Sequence, residues 1–273
     1  MSKDIGAAFR ALHERDDLFV IANPWDIGSA RLAAAVGFEA LATTSAGMAF
    51  AIGKGDGEVS RAEALAHAAA IVAATALPVS ADFEKGYGDS PEAVASLIRD
   101  AGAIGLAGCS IEDATGRAEA PIYEDGLAVE RISAAVEAAR GLGRDFVLTA
   151  RCENFLWNRP DLDATIRRLE AYEAAGADVL FAPGLRTIEE VRAVVGALER
   201  PVNVLNGIPG MVLPIDQLRD AGVKRVSLGP ALAKVAYEGM VKAAEAVMAG
   251  DYAFVETLKP SSALVSRFRK GAA

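Results

Sequence analysis

The sequence contains little cysteine and histidine, the residues that most often supply soft metal ligands and nucleophile–base pairs. Its two cysteines, Cys109 and Cys152, lie in apolar segments without C-x-x-C or metal-ligand spacing, which argues against a disulfide framework and a zinc site. We expect both thiols to be reduced and buried. The two histidines, His13 and His67, lie in predicted helices away from glycine-rich loops, so a Ser-His-Asp or Cys-His mechanism lacks its parts. Any catalysis should therefore depend on carboxylates.

Long apolar runs and blocks of basic residues are also missing. No apolar run approaches the ~20 residues of a membrane helix, and residues 1–10 lack the basic and then apolar pattern of a signal peptide. We therefore expect a cytoplasmic protein that does not cross a membrane. The formal net charge is -9 and no cluster of lysine and arginine is present, which argues against nucleic acid as a partner.

Short β-branched or apolar runs alternate with alanine-rich amphipathic stretches along the chain, the pattern of repeated βα units. The candidate strands are residues 18–23, 40–45, 78–83, 105–111, 146–151, 179–182, 202–205 and 225–228. Eight such units without a G-x-G-x-x-G turn favour a closed (β/α)8 barrel of the TIM type over an open doubly wound sheet. We interpret residues 1–273 as one α/β domain with a helical extension over about 230–273.

Local signals mark the ends of the intervening helices. The predicted starts are Ser60 with Glu63, Thr187 with Glu190, and Ser90 before Pro91. The predicted stops are Gly37, Gly102, Gly176 and Gly222. In the extension, an apolar helix should end at Met248, and a further segment ends in basic residues. This extension either packs on a neighbouring subunit or forms an appendage on the same barrel.

Three predicted strands end in charged residues, at the barrel face where active sites are built. Asp82 and Glu84 follow strand three, and alternation along a strand would place both on the same side. Glu112 ends strand four and Arg151 ends strand five. Carboxylates without histidine or cysteine suit Mg²⁺, with Mn²⁺ as an alternative. We predict Asp82 as a direct ligand, Glu84 and Glu112 as direct or water-mediated ligands, and Arg151 as a bidentate partner of a substrate carboxylate.

Further candidates are weaker, since each has an ordinary structural explanation. The small residues Ser45, Ala46 and Gly47 should form a turn after strand two, whose N–H groups could cradle a carboxylate. Asp56 lies on a glycine-rich loop from which it could approach the metal, although turn aspartates are commonly just solvated. Asn206, after strand seven, is a candidate for substrate specificity or simply a turn residue.

These motifs resemble those of the isocitrate lyase and phosphoenolpyruvate mutase superfamily, and the resemblance runs from about residue 9 to 254. The matching segments are Asn23-Pro24-Trp25-Asp26, Ser45-Ala46-Gly47, Asp82-Phe83-Glu84-Lys85-Gly86-Tyr87-Gly88, Ile111-Glu112-Asp113 and Ala150-Arg151. Glu84 replaces the second aspartate of the family's D-x-D metal motif, and Asp56 falls where the family has a further metal-associated aspartate. We place Tyr87 of this motif, Glu112 and Arg151 among the catalytic residues.

The resemblance implies a (β/α)8 barrel whose last helix is exchanged with a neighbouring subunit, in a homo-oligomer built as a dimer of dimers. It implies that Mg²⁺ and Arg151 together hold a small 2-oxo carboxylate and stabilise the charge of an enolate as a neighbouring bond forms or breaks. The primary expectation is a Mg²⁺-dependent carbon–carbon lyase, similar to 2-methylisocitrate lyase or oxaloacetate decarboxylase.

The chain departs from the family in the loop after strand four. Lyases of the family carry K-K-C-G-H there, whereas residues 114–123 contain no cysteine, lysine or histidine. Arg117, Glu119 and Tyr123 are the available substitutes, and we assign Arg117 a catalytic role on this basis. The departure keeps three alternatives open: a phosphonomutase or phosphonopyruvate hydrolase acting on a carbon–phosphorus bond, a non-catalytic 2-oxo-acid binding protein, and a related metal-dependent barrel aldolase.

Overall fold

The computed structural model describes residues 4–272 and contains all eight predicted strands. They are β1 (Phe19–Ile21), β2 (Leu41–Ala42), β3 (Val79–Asp82), β4 (Gly108–Glu112), β5 (Val147–Arg151), β6 (Val179–Phe181), β7 (Val202–Leu205) and β8 (Arg225–Ser227). Every pairing is parallel, in the order β1-β8-β7-β6-β5-β4-β3-β2. A parallel bridge between Ala22 and Leu41 links β1 to β2. The sheet therefore closes into the predicted (β/α)8 barrel.

The helices alternate with the strands as the βα pattern indicates. They are α1 (Ile5–Glu14), α2 (Ile27–Val36), α3 (Ser45–Ala51), α4 (Arg61–Ala74), α5 (Pro91–Ala103), α6 (Asp125–Arg140), α7 (Leu162–Ala174), α8 (Ile188–Ala197), α9 (Ile215–Asp220), α10 (Ala231–Met248) and α11 (Ser261–Lys270), with a short 3₁₀ helix at Ala253–Thr257. The capping boxes at Ser60 and Thr187 are confirmed, as is Ser90 as the N-cap before Pro91. The helices pack on the outside of the sheet, and both cysteines are free and buried.

One predicted helix stop is wrong. Gly102 lies inside α5, and Gly105, with φ +88°, adopts the left-handed conformation that lets the chain turn toward β4. The strand consequently begins at Gly108, three residues later than predicted. Gly37, Gly176 and Gly222 do have positive φ angles after their helices, as predicted.

Helix α1 closes the amino-terminal end of the barrel. Phe9 is fully buried and packs with Phe19, Val147 and Val179, which point into the barrel from three strands. The helix comes so close that a Cβ added at Gly6 would lie 1.8 Å from the carbonyl oxygen of Asp145. Glycine is therefore required for this packing, and the carboxyl end is the barrel face left open for a ligand.

His13, on the same helix, is buried in neutral form against the barrel interior. Its Nδ1 donates to the carbonyl oxygen of Phe9 at 2.9 Å, which leaves Nε2 as the acceptor for the Arg225 guanidinium at 3.4 Å. Burial, reinforced by the charge of Arg225, lowers the pKa of His13 from 6.5 to about 3. The unfolded chain therefore binds a proton between pH 6.5 and 3 that the folded chain does not, so stability falls as the pH falls through this window.

The His13→Gln variant should show a flatter dependence of stability on pH. Glutamine can donate to Phe9 and accept from Arg225 but does not titrate. Between pH 7 and pH 5 we expect wild type to lose about 2 kcal/mol more of its free energy of unfolding than the variant, since each pKa unit corresponds to about 1.4 kcal/mol. Urea unfolding at both pH values measures this, and equal losses in the two proteins would show that His13 is protonated in the folded state.

The carboxyl-terminal elements lie against the first βα unit. Lys270 Nζ donates to the carbonyl oxygen of Ala35 at 3.0 Å, and a Cβ added at Gly271 would lie 1.8 Å from the carbonyl oxygen of Arg31. Helix α11 thus packs on α2 of its own chain, and an exchange of the last helix between subunits stays a prediction. Within residues 4–272, no helix is both long and apolar enough to cross a membrane.

Candidate active site

A cavity of about 250 Å³ opens at the carboxyl ends of the strands. Five of the predicted site residues line it: Ser45, Ala46, Asp56, Asp82 and Arg151. These residues come from segments separated by up to about a hundred positions, and the closed barrel brings them together because all its strands end at one face.

Arg151, the last residue of β5, is the main cation of the cavity. Its Nε donates to Glu153 Oε1 at 2.5 Å, and its NH1 lies 3.4 Å from Glu112 Oε2 and 3.6 Å from Asp82 Oδ2. The side chain is 16% exposed, and Glu153 is buried. The short contact to Glu153 fixes the plane of the guanidinium, whereas the two longer contacts leave terminal N–H groups able to bind a ligand oxygen.

Asp82, the last residue of β3, is held by backbone and hydroxyl groups. Its own N–H donates to Thr43 Oγ1 at 2.9 Å, and its Oδ1 accepts from the Glu84 N–H at 3.3 Å and from Ser110 Oγ at 3.4 Å. The N–H of Ser45 lies 3.5 Å from Asp82 Oδ2. These contacts fix the orientation of the carboxylate and leave lone pairs on both oxygens.

The segment Ser45-Ala46-Gly47 is not the turn that the sequence predicts. It forms the first turn of α3, with Thr44 as the N-cap accepting from the Gly47 N–H. The helix can start here because small residues allow a tight passage over the strand: a Cβ at Gly47 would lie 2.5 Å from the Thr44 methyl group. The N–H of Ser45, the first residue of this helix, faces the Asp82 carboxylate.

Glu84 reaches the site by a route different from strand alternation. β3 ends at Asp82, and Glu84 has φ +48°, so the chain has already left the extended conformation. Its Oε1 is buried without a hydrogen-bond partner among the described residues. Burial, and then the charges of Asp82 and Asp56, raise the pKa of Glu84 to about 7.

The other two predicted metal residues are perturbed in the same direction. Burial raises the pKa of Glu112 well above its usual value, against the opposing charge of Arg151. Asp56 lies on an exposed loop and lines the cavity. Burial also raises the pKa of its carboxyl group, and a hydrogen bond from Ser45 opposes this shift. The described site thus holds more carboxyl groups than Arg151 alone can compensate when they ionise.

This charge imbalance fits a divalent cation held by few protein atoms. Within residues 4–272, no three histidine, cysteine or acidic side chains converge in a ready-made metal cage. Mg²⁺ rarely needs one, because it usually retains several waters and takes one or two carboxylates plus substrate oxygens. Asp82 has the required free lone pairs, and the partnerless Glu84 Oε1 would accept from a metal-bound water.

Six predicted residues lie outside the cavity lining: Gly47, Glu84 and Glu112, described above, and Tyr87, Arg117 and Asn206. Tyr87 has φ +57° and packs its ring on Phe83, with its hydroxyl buried and partnerless in the described structure; burial, and then Glu84, raise its pKa. Arg117 pairs with Asp89 at 2.8 Å. The amide of Asn206 donates to and accepts from the backbone of Leu213, at 2.9 and 2.7 Å, and so closes its own loop.

The loop after β4 is fastened to the loop after β3. Asp89 accepts from the Tyr123 hydroxyl at 2.5 Å, from Lys85 Nζ at 2.9 Å and from Arg117, and these contacts, in this order, lower its pKa. The fully buried Arg131 supports the same corner through the carbonyl oxygens of Gly88 and Asp89, at 2.7 and 2.6 Å. Arg117 and Tyr123 therefore hold this loop in place, and their polar groups are engaged at Asp89.

Sequence reasoning missed several residues of the site. Glu153 holds Arg151, and Asn23 accepts from the N–H groups of Leu228 and Gly229 at 2.8 and 3.1 Å, which joins β1 to the loop after β8. Arg225, the first residue of β8, also lines the cavity. A charged residue at an inward position of a predicted strand was the signal that would have identified Arg225.

The chain is similar in sequence and structure to enzymes of one family. The family model described as phosphoenolpyruvate phosphomutase matches residues 9–248. A protein from Burkholderia cenocepacia J2315, provisionally described as a lyase/mutase, has a crystal structure with 52% identity and a TM-score of 0.94, covering 97% of this chain and 95% of that one. The 2-methylisocitrate lyase of Escherichia coli K12 is 30% identical over 252 residues, 89% of this chain and 82% of its own. The structure of oxaloacetate acetylhydrolase with the product oxalate has 27% identity and a TM-score of 0.86, covering 98% and 94%.

Proposed function

Because the chain belongs to the isocitrate lyase and phosphoenolpyruvate mutase superfamily, we propose that it is a divalent-metal-dependent lyase that cleaves a carbon–carbon bond next to the carbonyl of a small 2-oxo carboxylate. The position of Arg151 carries the proposal. Its guanidinium lies at the edge of the cavity between Asp82 and Glu112, with its plane fixed by Glu153. A clamp of this kind binds a carboxylate and stabilises the negative charge that develops on a neighbouring oxygen.

Asp82 would hold the metal directly, and Glu84 and Glu112 would hold its waters. When bound, Mg²⁺ supplies Lewis-acid polarisation of the 2-oxo group. The protein residues would position the substrate beside it: Arg151 takes the carboxylate, and the N–H of Ser45 faces the same space. Ile208, Leu156 and Phe181 line the cavity and exclude water from the reacting centre.

The loop after β4 favours decarboxylation over the other lyase reactions. In a 3-carboxy-2-oxo acid such as oxaloacetate, the C3–C4 bond breaks, its electron pair forms the enolate at C2 and C3, and CO₂ leaves. A proton from water then adds to C3, so cleavage itself needs no acid or base. Cleavage of a hydroxy acid such as methylisocitrate needs a base to remove the hydroxyl proton. Residues 114–123 offer no cysteine, lysine or histidine for that task.

A carbon–phosphorus reaction is the second candidate, favoured by the match to the phosphoenolpyruvate phosphomutase model. The same clamp on a 2-oxo carboxylate would serve phosphonopyruvate. The two candidates differ in what leaves C3, CO₂ in one case and a phosphoryl group in the other, so their products separate them.

The test is a substrate panel with added Mg²⁺: oxaloacetate, methylisocitrate, isocitrate, phosphonopyruvate, and pyruvate with an aldehyde. We expect pyruvate from oxaloacetate at a rate about 10²-fold or more above that of the same metal in buffer, abolished by EDTA and restored by Mg²⁺ or Mn²⁺. Phosphoenolpyruvate or phosphate from phosphonopyruvate would select the second candidate. No turnover despite tight binding of 2-oxo acids would replace the enzyme with a binding protein.

A further inference from the structure

The middle of the barrel interior is unusually polar below the Arg151 clamp. TIM-type barrels normally fill this region with branched apolar side chains. Here the inward residues that line the cavity toward its floor include Ser80, Ser110, Asn203, Arg225 and Ser227. The cavity therefore continues past the clamp, toward a buried cation.

Arg225 is that cation, and all its partners are neutral. Its Nε donates to Asn203 Oδ1 at 2.9 Å, its NH2 to Thr149 Oγ1 at 3.1 Å, and its NH1 lies 3.4 Å from His13 Nε2. The residue is 5% exposed, and no carboxylate of the described chain forms an ion pair with it. A guanidinium has five N–H donors, and these three partners engage only three of them, so two N–H groups remain for a ligand.

Such an arrangement is costly for the protein without a ligand. A buried charge is normally paired, because burial removes its hydration and only a counter-charge compensates for that loss. Burial without a counter-charge lowers the pKa of Arg225 to about 9. Asparagine, threonine and histidine satisfy hydrogen bonds but leave the charge uncompensated, and a bound anion would compensate it.

Strand β5 relates the two cations, because Arg151 ends it and Arg225 is bonded to Thr149 within it, and both cations line one cavity. Thr149, which accepts from Arg225, lies two residues before Arg151 on the same face of β5. Two residues along a strand span roughly 6.6 Å. A ligand bound at Arg151 by one carboxylate could therefore direct a second negative group toward Arg225 through the polar floor.

We propose that Arg225 is a second anion-recognition site, at the floor of the cavity, for one carboxylate-sized group. The bound group is either the far carboxylate of a short dicarboxylate or a separate small anion. In the first case the inference rests on the proposed function, and Arg225 sets substrate class, because it favours a dicarboxylate over a monocarboxylate of equal length.

The test compares succinate, butyrate and formate on wild type, Arg225→Gln and Arg225→Lys. Succinate and butyrate have equal chain length, carry no 2-oxo group and cannot decarboxylate. If the anion is the far carboxylate, wild type and the lysine variant should bind succinate about tenfold or more tightly than butyrate by calorimetry, and the glutamine variant should lose this preference. If the anion is separate, formate should raise the unfolding temperature of wild type but not of Arg225→Gln.

A preference that persists in Arg225→Gln, or no difference between wild type and this variant with any probe, overturns the proposal. Should the glutamine variant not fold, Arg225→Met takes its place, since removal of an uncompensated charge leaves no orphaned partner charge. The experiments separate a failure of the floor site from a failure of the proposed function. Activity without an Arg225 effect refutes only the floor site, and an Arg225 effect without turnover of any 2-oxo acid refutes only the lyase.

Discussion

Replacement of Arg151 by lysine should lower kcat/KM for the 2-oxo acid by about 10³-fold, the scale of losing a preorganised donor to a developing oxyanion. Lysine keeps the positive charge between Asp82 and Glu112, so the carboxylates stay compensated. It has a single nitrogen, however, and cannot both bond Glu153 and present a planar pair of N–H groups to a carboxylate. The effect should appear in kcat as well as in KM, because the lost contact strengthens as charge develops on the substrate.

The matched control is Arg10→Lys at the opposite end of the barrel. Arg10 also pairs with two carboxylates, Asp145 at 2.9 Å and Asp178 at 2.8 Å. We expect this variant to lose a similar amount of stability and to keep its activity within about threefold, because these pairs lie far from the cavity. Steady-state kinetics and thermal unfolding on both variants separate catalysis from folding. Equal activity losses in the two would assign Arg151 a structural role only.

The number and order of the barrel strands could be predicted because each is a short apolar run between helices with strong end signals. The capping boxes at Ser60 and Thr187 and the proline after Ser90 depend only on neighbouring residues, so local sequence specifies them. The predicted end of α5 at Gly102 is wrong because the local sequence offers more than one end signal. Two nearby glycines could each end the helix; Gly102 packs inside α5, where a Cβ would lie 2.5 Å from Leu142, and the chain turns at Gly105.

The charged strand ends were predictable as a group, but their contacts were not. Parallel strands in a barrel end at one face, which brings Asp82 and Arg151 together whatever the loops do. The position of Glu84 depends instead on a left-handed backbone conformation that nothing in the local pattern specifies. Likewise, Arg117 donates to Asp89, a partner 28 positions away. The sequence alone could not show this contact, which engages the side chain that we predicted to be catalytic.

The Asp82→Asn variant should lose activity by about 10³-fold or more and should also lose its affinity for the metal. Asparagine can still accept from Ser110 and from the Glu84 N–H, so the local hydrogen bonds survive, but it offers a divalent cation no negative charge. Titration with Mn²⁺, followed by its paramagnetic resonance, reports metal binding without turnover.

Asp178→Asn is the control for this change. Asp178 accepts from Arg10 and from the Leu148 N–H at the amino end of the barrel, so its loss removes an aspartate ion pair of similar burial far from the cavity. It should weaken the fold while retaining Mn²⁺ affinity and turnover. Unchanged Mn²⁺ affinity in Asp82→Asn would contradict Asp82 as a ligand and assign the metal to Glu84 and Glu112. That outcome would leave Arg151 as the residue on which the proposed chemistry depends, because its guanidinium lies against Glu112 as closely as against Asp82.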